Sequence, residues 1–183
     1  MYLKKPDFFL IIIIVIIAFL LSSINLRTYF LSDDFNHFHT IHKFLKDPQI
    51  KNIFITDGLL GQANRYRPVC ALLLLWEYLC WGTNPVGYHI TSIILYILNL
   101  ILLYLLALAI TKSSKISFLS SLFFCCLPGH AEVINWISAQ PYLLAAFFYL
   151  TCTLSYLKTL HKKIVYFLVI LPAFFLGLCT NEM

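Results

Sequence analysis

Residues 88–110 read YHITSIILYILNLILLYLLALAI, and this stretch decides the fold. It contains no Asp, Glu, Lys or Arg. A helix of about 20 apolar residues is long enough to cross the hydrocarbon core of a bilayer. Lipid offers no partners to backbone N–H and C=O groups, so a run this apolar crosses a membrane as a helix. The stretch therefore predicts a transmembrane helix.

The chain contains four more apolar runs that predict membrane spans. They cover residues 8–26, 116–137, 141–157 and 164–179. The sequence therefore predicts an all-α polytopic membrane protein, with a single membrane domain over residues 1–183 and about five transmembrane helices. The first run has no small-x-small cleavage site after it, which favours a retained signal anchor over a cleaved signal peptide. Residues 27–87 form a long loop between the first two spans.

The composition of the chain favours lipid as part of its solvent. Of the 183 residues, 61% are hydrophobic and 11% are charged, and the mean hydropathy is +0.84. The net charge of +5 does not indicate a nucleic-acid partner, because the basic residues lie between the apolar runs and form no basic stripe. The six cysteines have no C-x-x-C spacing. We interpret them as small buried hydrophobic residues rather than metal ligands or disulfides.

Residues 68–82, PVCALLLLWEYLCWG, form an apolar run that is short and carries Glu77 near its middle. Runs of about 10–14 residues are more often interfacial than spanning. Trp76, Tyr78 and Trp81 are residue types that settle at the headgroup level. We therefore predict an interfacial helix within a long extracytoplasmic first loop. With five spans and a cytoplasmic N-terminus, the lysines between the later spans are cytoplasmic, as the positive-inside rule requires.

Residues 31–39, LSDDFNHFH, follow the first predicted span and have two interpretations. In the first, Ser32 caps an amphipathic surface helix and Asp33 and Asp34 lie in its first turn, where the helix dipole favours negative charge. In the second, one aspartate is a general base at the membrane surface, with its pKa raised by partial burial and a like-charged neighbour. The interpretations are compatible, because a helix start can present a catalytic carboxylate.

Three histidines follow these aspartates, namely His37, His39 and His42. A metal site can be drawn from these five residues, but His37 does not share a helix face with His39 and His42. We therefore interpret the histidines as a solvated or headgroup-facing polar face, and we predict no metal site.

The stretch NRYRP, residues 64–68, places Arg65 and Arg67 at the predicted outer interface. Arginine side chains reach lipid headgroups in many membrane proteins, which is the simpler interpretation. The functional interpretation is a clamp for a lipid-linked phosphate, because a guanidinium can form two parallel hydrogen bonds with phosphate oxygens.

The stretch LPGHAEVINWIS, residues 127–138, combines a helix break with ionisable groups. A proline and a glycine come first, followed by His130 and Glu132, and then by Trp136 as an interface anchor. Ionisable residues at this depth are costly and are candidates for function. The alternative is an ordinary transition from span to loop, with polar residues that are simply hydrated.

The order of these motifs resembles a known family. The order is DD after the first span, then YRP, GYH at the start of the second span, PGHAEVINWIS, and NE after the fifth span. It resembles the GT-C membrane glycosyltransferases, and within them the protein O-mannosyltransferase-like branch, including its members with tetratricopeptide repeats. The resemblance covers nearly the whole chain but only the N-terminal part of such an enzyme. We therefore expect an incomplete GT-C module.

The resemblance implies roles for particular residues. It implies that Asp33, which matches the leading acid of the pair, or its neighbour Asp34 is the catalytic base. It also implies that Tyr66 and Arg67, together with Arg65, contact the phosphate of a polyprenyl-phosphate-linked sugar. The matches to the third-span and fifth-span motifs are further site candidates: His130, Glu132, Trp136 and Glu182. No cofactor is implied, and the residues do not support a divalent metal.

Three positions depart from the family pattern. Leu127 stands where the family usually has a histidine, Gln140 stands where an arginine follows the WIS element, and Asn181 replaces the lysine of a K-E pair. The two lost cations weaken the expected hold on a phosphate.

The predicted function is an inverting sugar transfer at the extracytoplasmic or lumenal face of a membrane. A first-loop aspartate takes the proton of a hydroxyl on a protein or glycan acceptor, and Arg67 stabilises the leaving phosphate. The alternative is a non-catalytic membrane scaffold or lipid-handling subunit of the same architecture. A small transporter is disfavoured, because the polar groups cluster at one face rather than near mid-membrane.

Overall fold

The computed structural model describes residues 5–31, 33–48, 66–160 and 166–180, and the regular elements in these ranges are all helical. The helices are α1 (Lys5–Ser23), α2 (Asp34–Lys46), α3 (Pro68–Trp81), α4 (Pro85–Thr111), α5 (Ser114–Cys126), α6 (Gly129–Asn135), α7 (Gln140–Leu160) and α8 (Phe167–Leu178). Short 3-10 helices follow α1 and precede α7, at Ile24–Arg27 and Ile137–Ala139. The prediction of an all-α protein is confirmed for the described residues.

Helix α4 is the central element, and it packs against α1, α5 and α7. Its start is well defined, because the Asn84 side chain accepts the N–H of Val86 at 3.1 Å and Pro85 occupies the first turn, where no backbone donor is needed. Its end is marked by Lys112, which adopts the left-handed conformation with φ 54°. At 1.5 Å per residue α4 is about 40 Å long. That length exceeds a hydrocarbon core of about 30 Å.

Three segments of the described chain are long and apolar enough to cross a membrane. They are Pro6–Ser23, Pro85–Thr111 and Ile137–Leu160. These coincide with the first, second and fourth predicted spans. Helices α5 and α8 are also apolar, but they have only 13 and 12 residues. Each rises by less than about 20 Å and is shorter by itself than the hydrocarbon core.

The third predicted span, residues 116–137, consists of two helices rather than one. Helix α5 ends at Cys126, and Leu127 adopts an extended conformation with φ −69° and ψ 128°. Pro128 disfavours a helical conformation at the residue before it and donates no backbone hydrogen bond, which explains the break. Helix α6 then runs to Asn135, and Trp136 is again extended. The break at the proline and glycine of the LPGH stretch, which the sequence predicts, is confirmed.

An aromatic cluster fixes α2 to the start of α4. The rings of Phe30 and Phe38 lie 4.5 Å apart, and they lie 5.6 and 5.7 Å from the ring of Tyr88, in edge-to-face contacts. Ile41 of α2 and Leu74 of α3 belong to the same buried core. Aromatic pairs of this geometry stabilise a fold beyond the area that they bury. Helices α2 and α3, which lie between the first two predicted spans, are therefore packed onto the central helix.

A buried carboxylate joins three helices near the other end of α4. The Tyr104 hydroxyl and the Ser114 hydroxyl donate to the same Oδ1 atom of Asp7, at 3.0 and 2.5 Å. Asp7 belongs to α1, Tyr104 to α4 and Ser114 to α5. Burying a carboxylate is costly unless donors meet it, and these hydroxyls offset that cost. The contact holds α1 against the α4–α5 hairpin.

Candidate functional site

The two first-loop aspartates occupy different environments. Helix α2 begins at Asp34, and Asp33 stands at the capping position without a side-chain cap bond. Ser32, which the sequence suggests as the cap, lies outside the described residues. Asp34 is buried, with 1% of its surface exposed, whereas Asp33 is partly exposed. Only Asp33 therefore presents an accessible carboxylate at this helix start.

Asp34 is fully used in hydrogen bonds within the chain. Its Oδ1 accepts the backbone N–H of Ser138 at 2.9 Å and the Ser138 hydroxyl at 2.5 Å, and its Oδ2 accepts the N–H of Leu31 at 2.9 Å. Ser138 is 104 residues away and precedes α7. Asp34 therefore ties the first loop to the segment between α6 and α7.

The histidines of α2 do not all lie on one hydrated face. His39 and His42 are exposed, as expected, but His37 is 5% exposed. The prediction of a hydrated side chain is wrong for His37, because its Nε2 lies 3.0 Å from the Ser138 hydroxyl. Within the described ranges, no three His, Cys, Asp or Glu side chains are grouped closely enough to hold a metal ion.

A small pocket, open to the surface, lies where the first turns of α2, α3 and α7 meet; we call it the Arg67 pocket. Its wall consists of His37, Arg67, Cys70, Leu73, Leu74, Ile137, Ser138, Gln140 and Pro141. The polar groups include a guanidinium, an imidazole, a hydroxyl and an amide, and the rest of the wall is largely apolar. Helix N-termini carry partial positive charge, which adds to that of Arg67. The pocket thus combines a positive charge with an apolar wall.

A buried polar network supports the wall behind Gln140. The Gln140 amide nitrogen lies 2.9 Å from Glu77 Oε1, 3.1 Å from Ser92 Oγ and 3.2 Å from the Tyr88 carbonyl oxygen. Glu77 has no exposed surface, so the expected interfacial helix α3 directs this carboxyl inward. Burial raises the pKa of Glu77 to about 8, although the hydrogen bond from Gln140 lowers it. Glu77 is therefore mostly protonated and neutral at pH 7.

Cys70 lines the pocket but is not a nucleophile. Burial raises the pKa of its thiol to about 12, although the charge of Arg67 lowers it. The thiol donates to the carbonyl oxygen of Thr180 at 3.2 Å, and the N–H of Val69 donates to the carbonyl of Cys179 at 3.2 Å. A thiol with this pKa stays protonated near neutral pH and is unreactive. Cys70 therefore serves to connect the start of α3 to the end of α8.

His89 of the GYH element, on α4, contacts the segment after α1 and helix α6. Its Nδ1 lies 3.2 Å from the Ile134 carbonyl oxygen, and its Nε2 lies 2.9 Å from the Thr28 hydroxyl. Each ring nitrogen faces a carbonyl oxygen, which only accepts, since Nε2 also lies 3.1 Å from the Thr28 carbonyl oxygen. His89 therefore helps to place the first loop beside α6.

The remaining predicted site residues are dispersed. Tyr66 is exposed next to Arg67, Glu132 is exposed on α6, and Trp136 is partly buried; none of these three lines the Arg67 pocket. Arg65 and Glu182 lie outside the described residues, as does the side chain of His130. Of the predicted residues, the structure thus associates Arg67 and, through Ser138, Asp34 with the pocket.

Sequence reasoning did not predict the roles of His37, Ser138 and Gln140 in this pocket. The available signal was positional, because Ser138 ends the quoted WIS element and Gln140 stands at the position of the missing arginine. The burial of Glu77 had no such signal in its apolar run.

Comparisons with known proteins agree with the motif order. Protein O-mannosyl-transferase TMTC1 of Homo sapiens is 30% identical over 126 residues, which are 63% of this chain and 14% of that protein. The corresponding tmtc2 of Xenopus laevis is 29% identical over 135 residues, 70% of this chain and 16% of that protein. TMTC3 of Mus musculus is 28% identical over 118 residues, 63% of this chain and 13% of that protein.

The chain spans less than a fifth of the length of these curated relatives. No family model matches it, and no solved structure gives a significant match. The resemblance predicted from the DD, YRP, GYH and PGHAEVINWIS elements is confirmed: the chain is similar to a part of the protein O-mannosyl-transferases of the TMTC type.

Proposed function

We propose that this chain is part of a membrane glycosyltransferase that transfers a sugar, such as mannose, from a polyprenyl-phosphate-linked donor to a protein hydroxyl. One observation carries the proposal. Three motif regions that are far apart in sequence, the DD turn, the YRP element and the WIS element, meet at or next to the Arg67 pocket. The printed names of the relatives, protein O-mannosyl-transferases, support the same reaction class.

In the proposed topology, five spans cross the membrane and the N-terminus is cytoplasmic. Helices α5 and α6 together form the third crossing, since their 20 residues rise by about 30 Å. Lys112 after α4, Lys115 in the first turn of α5 and Lys158 in the last turn of α7 then lie on the cytoplasmic side, which the positive-inside rule favours. The Arg67 pocket accordingly faces the extracytoplasmic or lumenal side.

In the proposed reaction, Asp33 is the general base. The acceptor oxygen attacks the anomeric carbon from the face opposite the phosphate, and its proton passes to the Asp33 carboxylate. The bond between the anomeric carbon and the phosphate oxygen breaks, and polyprenyl phosphate leaves with inverted configuration at the sugar. Arg67 balances the charge that develops on the leaving phosphate. Asp34 has no free role in proton transfer, because three donors already occupy its carboxylate.

The experiment that tests this proposal measures transfer of radiolabelled mannose from polyprenyl phosphate to protein by the full-length protein in lipid nanodiscs. We expect Asp33→Asn to lower kcat by a factor of 100 or more, because a general base contributes about 10²–10⁴ to a rate. The matched control is Asp47→Asn, at the exposed end of α2, which should leave kcat unchanged. Wild-type activity in Asp33→Asn contradicts the assignment of the base, and no transfer by the wild-type protein favours the scaffold alternative.

A further inference from the structure

Ser138 joins Asp34 and His37. Its backbone N–H and its hydroxyl both donate to Asp34 Oδ1, and its hydroxyl oxygen lies 3.0 Å from His37 Nε2. Both Ser138 and His37 also form part of the Arg67 pocket wall. Asp34 lies at the start of α2, whereas Ser138 belongs to the 3-10 helix before α7. One serine therefore connects the base-bearing turn to the pocket.

The direction of each hydrogen bond in this chain of contacts is fixed. A carboxylate only accepts, so the single hydroxyl hydrogen of Ser138 is directed to Asp34. The contact with His37 must then be donated by the imidazole, which places a hydrogen on Nε2. The imidazole of His37 thus donates to the Ser138 hydroxyl, and that hydroxyl donates to the Asp34 carboxylate. A hydroxyl held from both sides cannot rotate freely.

We propose that Ser138 is a positioning residue for the sugar transfer. It holds Asp34, so that the adjacent Asp33 carboxylate keeps its position relative to the Arg67 pocket. This inference rests on the proposed function. Asp33 directly precedes α2, and the start of that helix is held by the two Ser138 donors and by the N–H of Leu31. A displacement of about 1 Å in a reacting group can lower a rate about 100-fold. Ser138 thus acts on the rate through Asp34, because its hydroxyl hydrogen and its backbone N–H are both directed to that carboxylate.

The test is a single-turnover measurement, because its rate constant does not depend on the fraction of protein that is folded. Full-length protein in nanodiscs is loaded with radiolabelled polyprenyl-phosphate mannose, and excess acceptor peptide starts the reaction. We expect Ser138→Ala to slow transfer at least tenfold and to change the Kd of unglycosylated polyprenyl phosphate less than twofold. Ser138→Thr, which keeps the hydroxyl and the backbone N–H, should stay within about threefold of wild type.

Two further variants separate positioning from general damage to the fold. His37→Gln can still donate to Ser138 from its amide and should retain most of the rate, whereas His37→Ala should lose as much as Ser138→Ala. Ser121→Ala is the control, because Ser121 is a fully buried serine on α5 whose hydroxyl has no hydrogen-bond partner among the described residues. It should transfer at the wild-type rate.

The outcomes distinguish this inference from the proposed function. The proposed function stands if wild type transfers mannose and Asp33→Asn does not. If Ser138→Ala is then as fast as wild type, the positioning role of Ser138 is wrong. If Ser138→Ala and Ser121→Ala slow transfer equally, the effect is not specific and the inference is also overturned. If the wild-type protein transfers no mannose from a bound donor, the proposed function fails and this inference fails with it.

Discussion

At the scale of single residues, Glu77 gives a measurable signature of the network behind the Arg67 pocket. Its pKa is raised from 4.5 to about 8, chiefly by burial. Between these two pH values the folded state binds a proton that the unfolded chain does not bind, so the free energy of unfolding falls as the pH rises from 4.5 to 8. Above pH 8 both states are ionised and the loss levels off.

We expect Glu77→Gln to remove this part of the pH dependence, because an amide of similar shape does not ionise. One unit of pH corresponds to about 1.4 kcal/mol for one proton. Between pH 6 and 8, the free energy of unfolding of wild type should therefore fall relative to that of the variant by about 1 kcal/mol per pH unit. Thermal melts in detergent across this range measure it.

Glu132→Gln is the matched control for this measurement, since Glu132 is exposed on α6. Its melting temperature should follow that of wild type at each pH. Parallel curves for wild type and Glu77→Gln would contradict the buried neutral state of Glu77.

At the scale of elements, the turn between α3 and α4 depends on close contact at Gly87. A Cβ atom added there would lie 2.2 Å from Cγ of Trp81, at the base of the indole ring, where a simple ring rotation gives little relief. Trp81 ends α3, and Gly82 forms the turn with φ 58° and accepts a hydrogen bond from the Tyr88 hydroxyl at 2.8 Å. Tyr88 also packs in the aromatic cluster, so a shift of α4 disturbs α2 as well.

We expect Gly87→Ala to lower the free energy of unfolding by about 1–3 kcal/mol, as overpacking commonly does. Gly129→Ala is the control, because a Cβ atom there meets nothing within 4 Å. Thermal melts of both variants measure the effect. If Trp81 is the cause, Gly87→Ala should cost little in a Trp81→Ala background. An equal cost in both backgrounds would exclude Trp81 as the cause.

The element scale also separates what the sequence predicts from what it does not. Helices α3, α4 and α7 lie where the apolar runs predict them, because their signals are local: composition, capping residues and prolines. The sequence predicts an amphipathic surface helix at α2, yet Phe35 and Leu45 are exposed whereas Asp34 and His37 are buried. That orientation is set by Ser138, about a hundred residues away, and a local pattern carries no information about such a partner.

At the scale of the whole molecule, charge and helix length give different counts of spans. The lysine distribution favours five crossings, whereas three segments of the described chain are individually long enough. The proposed topology reconciles the counts by treating α5 with α6 as one broken crossing. Broken helices within membranes are tolerated where neighbouring helices cover the exposed backbone groups, and α4 lies beside both.

This topology predicts which single-cysteine variants a membrane-impermeant maleimide labels from the extracytoplasmic side, in a background without the native cysteines. Thr83→Cys lies in the α3–α4 turn and Ala131→Cys in α6, and both native residues are exposed. We expect the reagent to label both. Thr111→Cys, at the exposed end of α4, should react only after the membrane is permeabilised. Labelling of Ala131→Cys and Thr111→Cys from the same side would contradict a third crossing formed by α5 and α6.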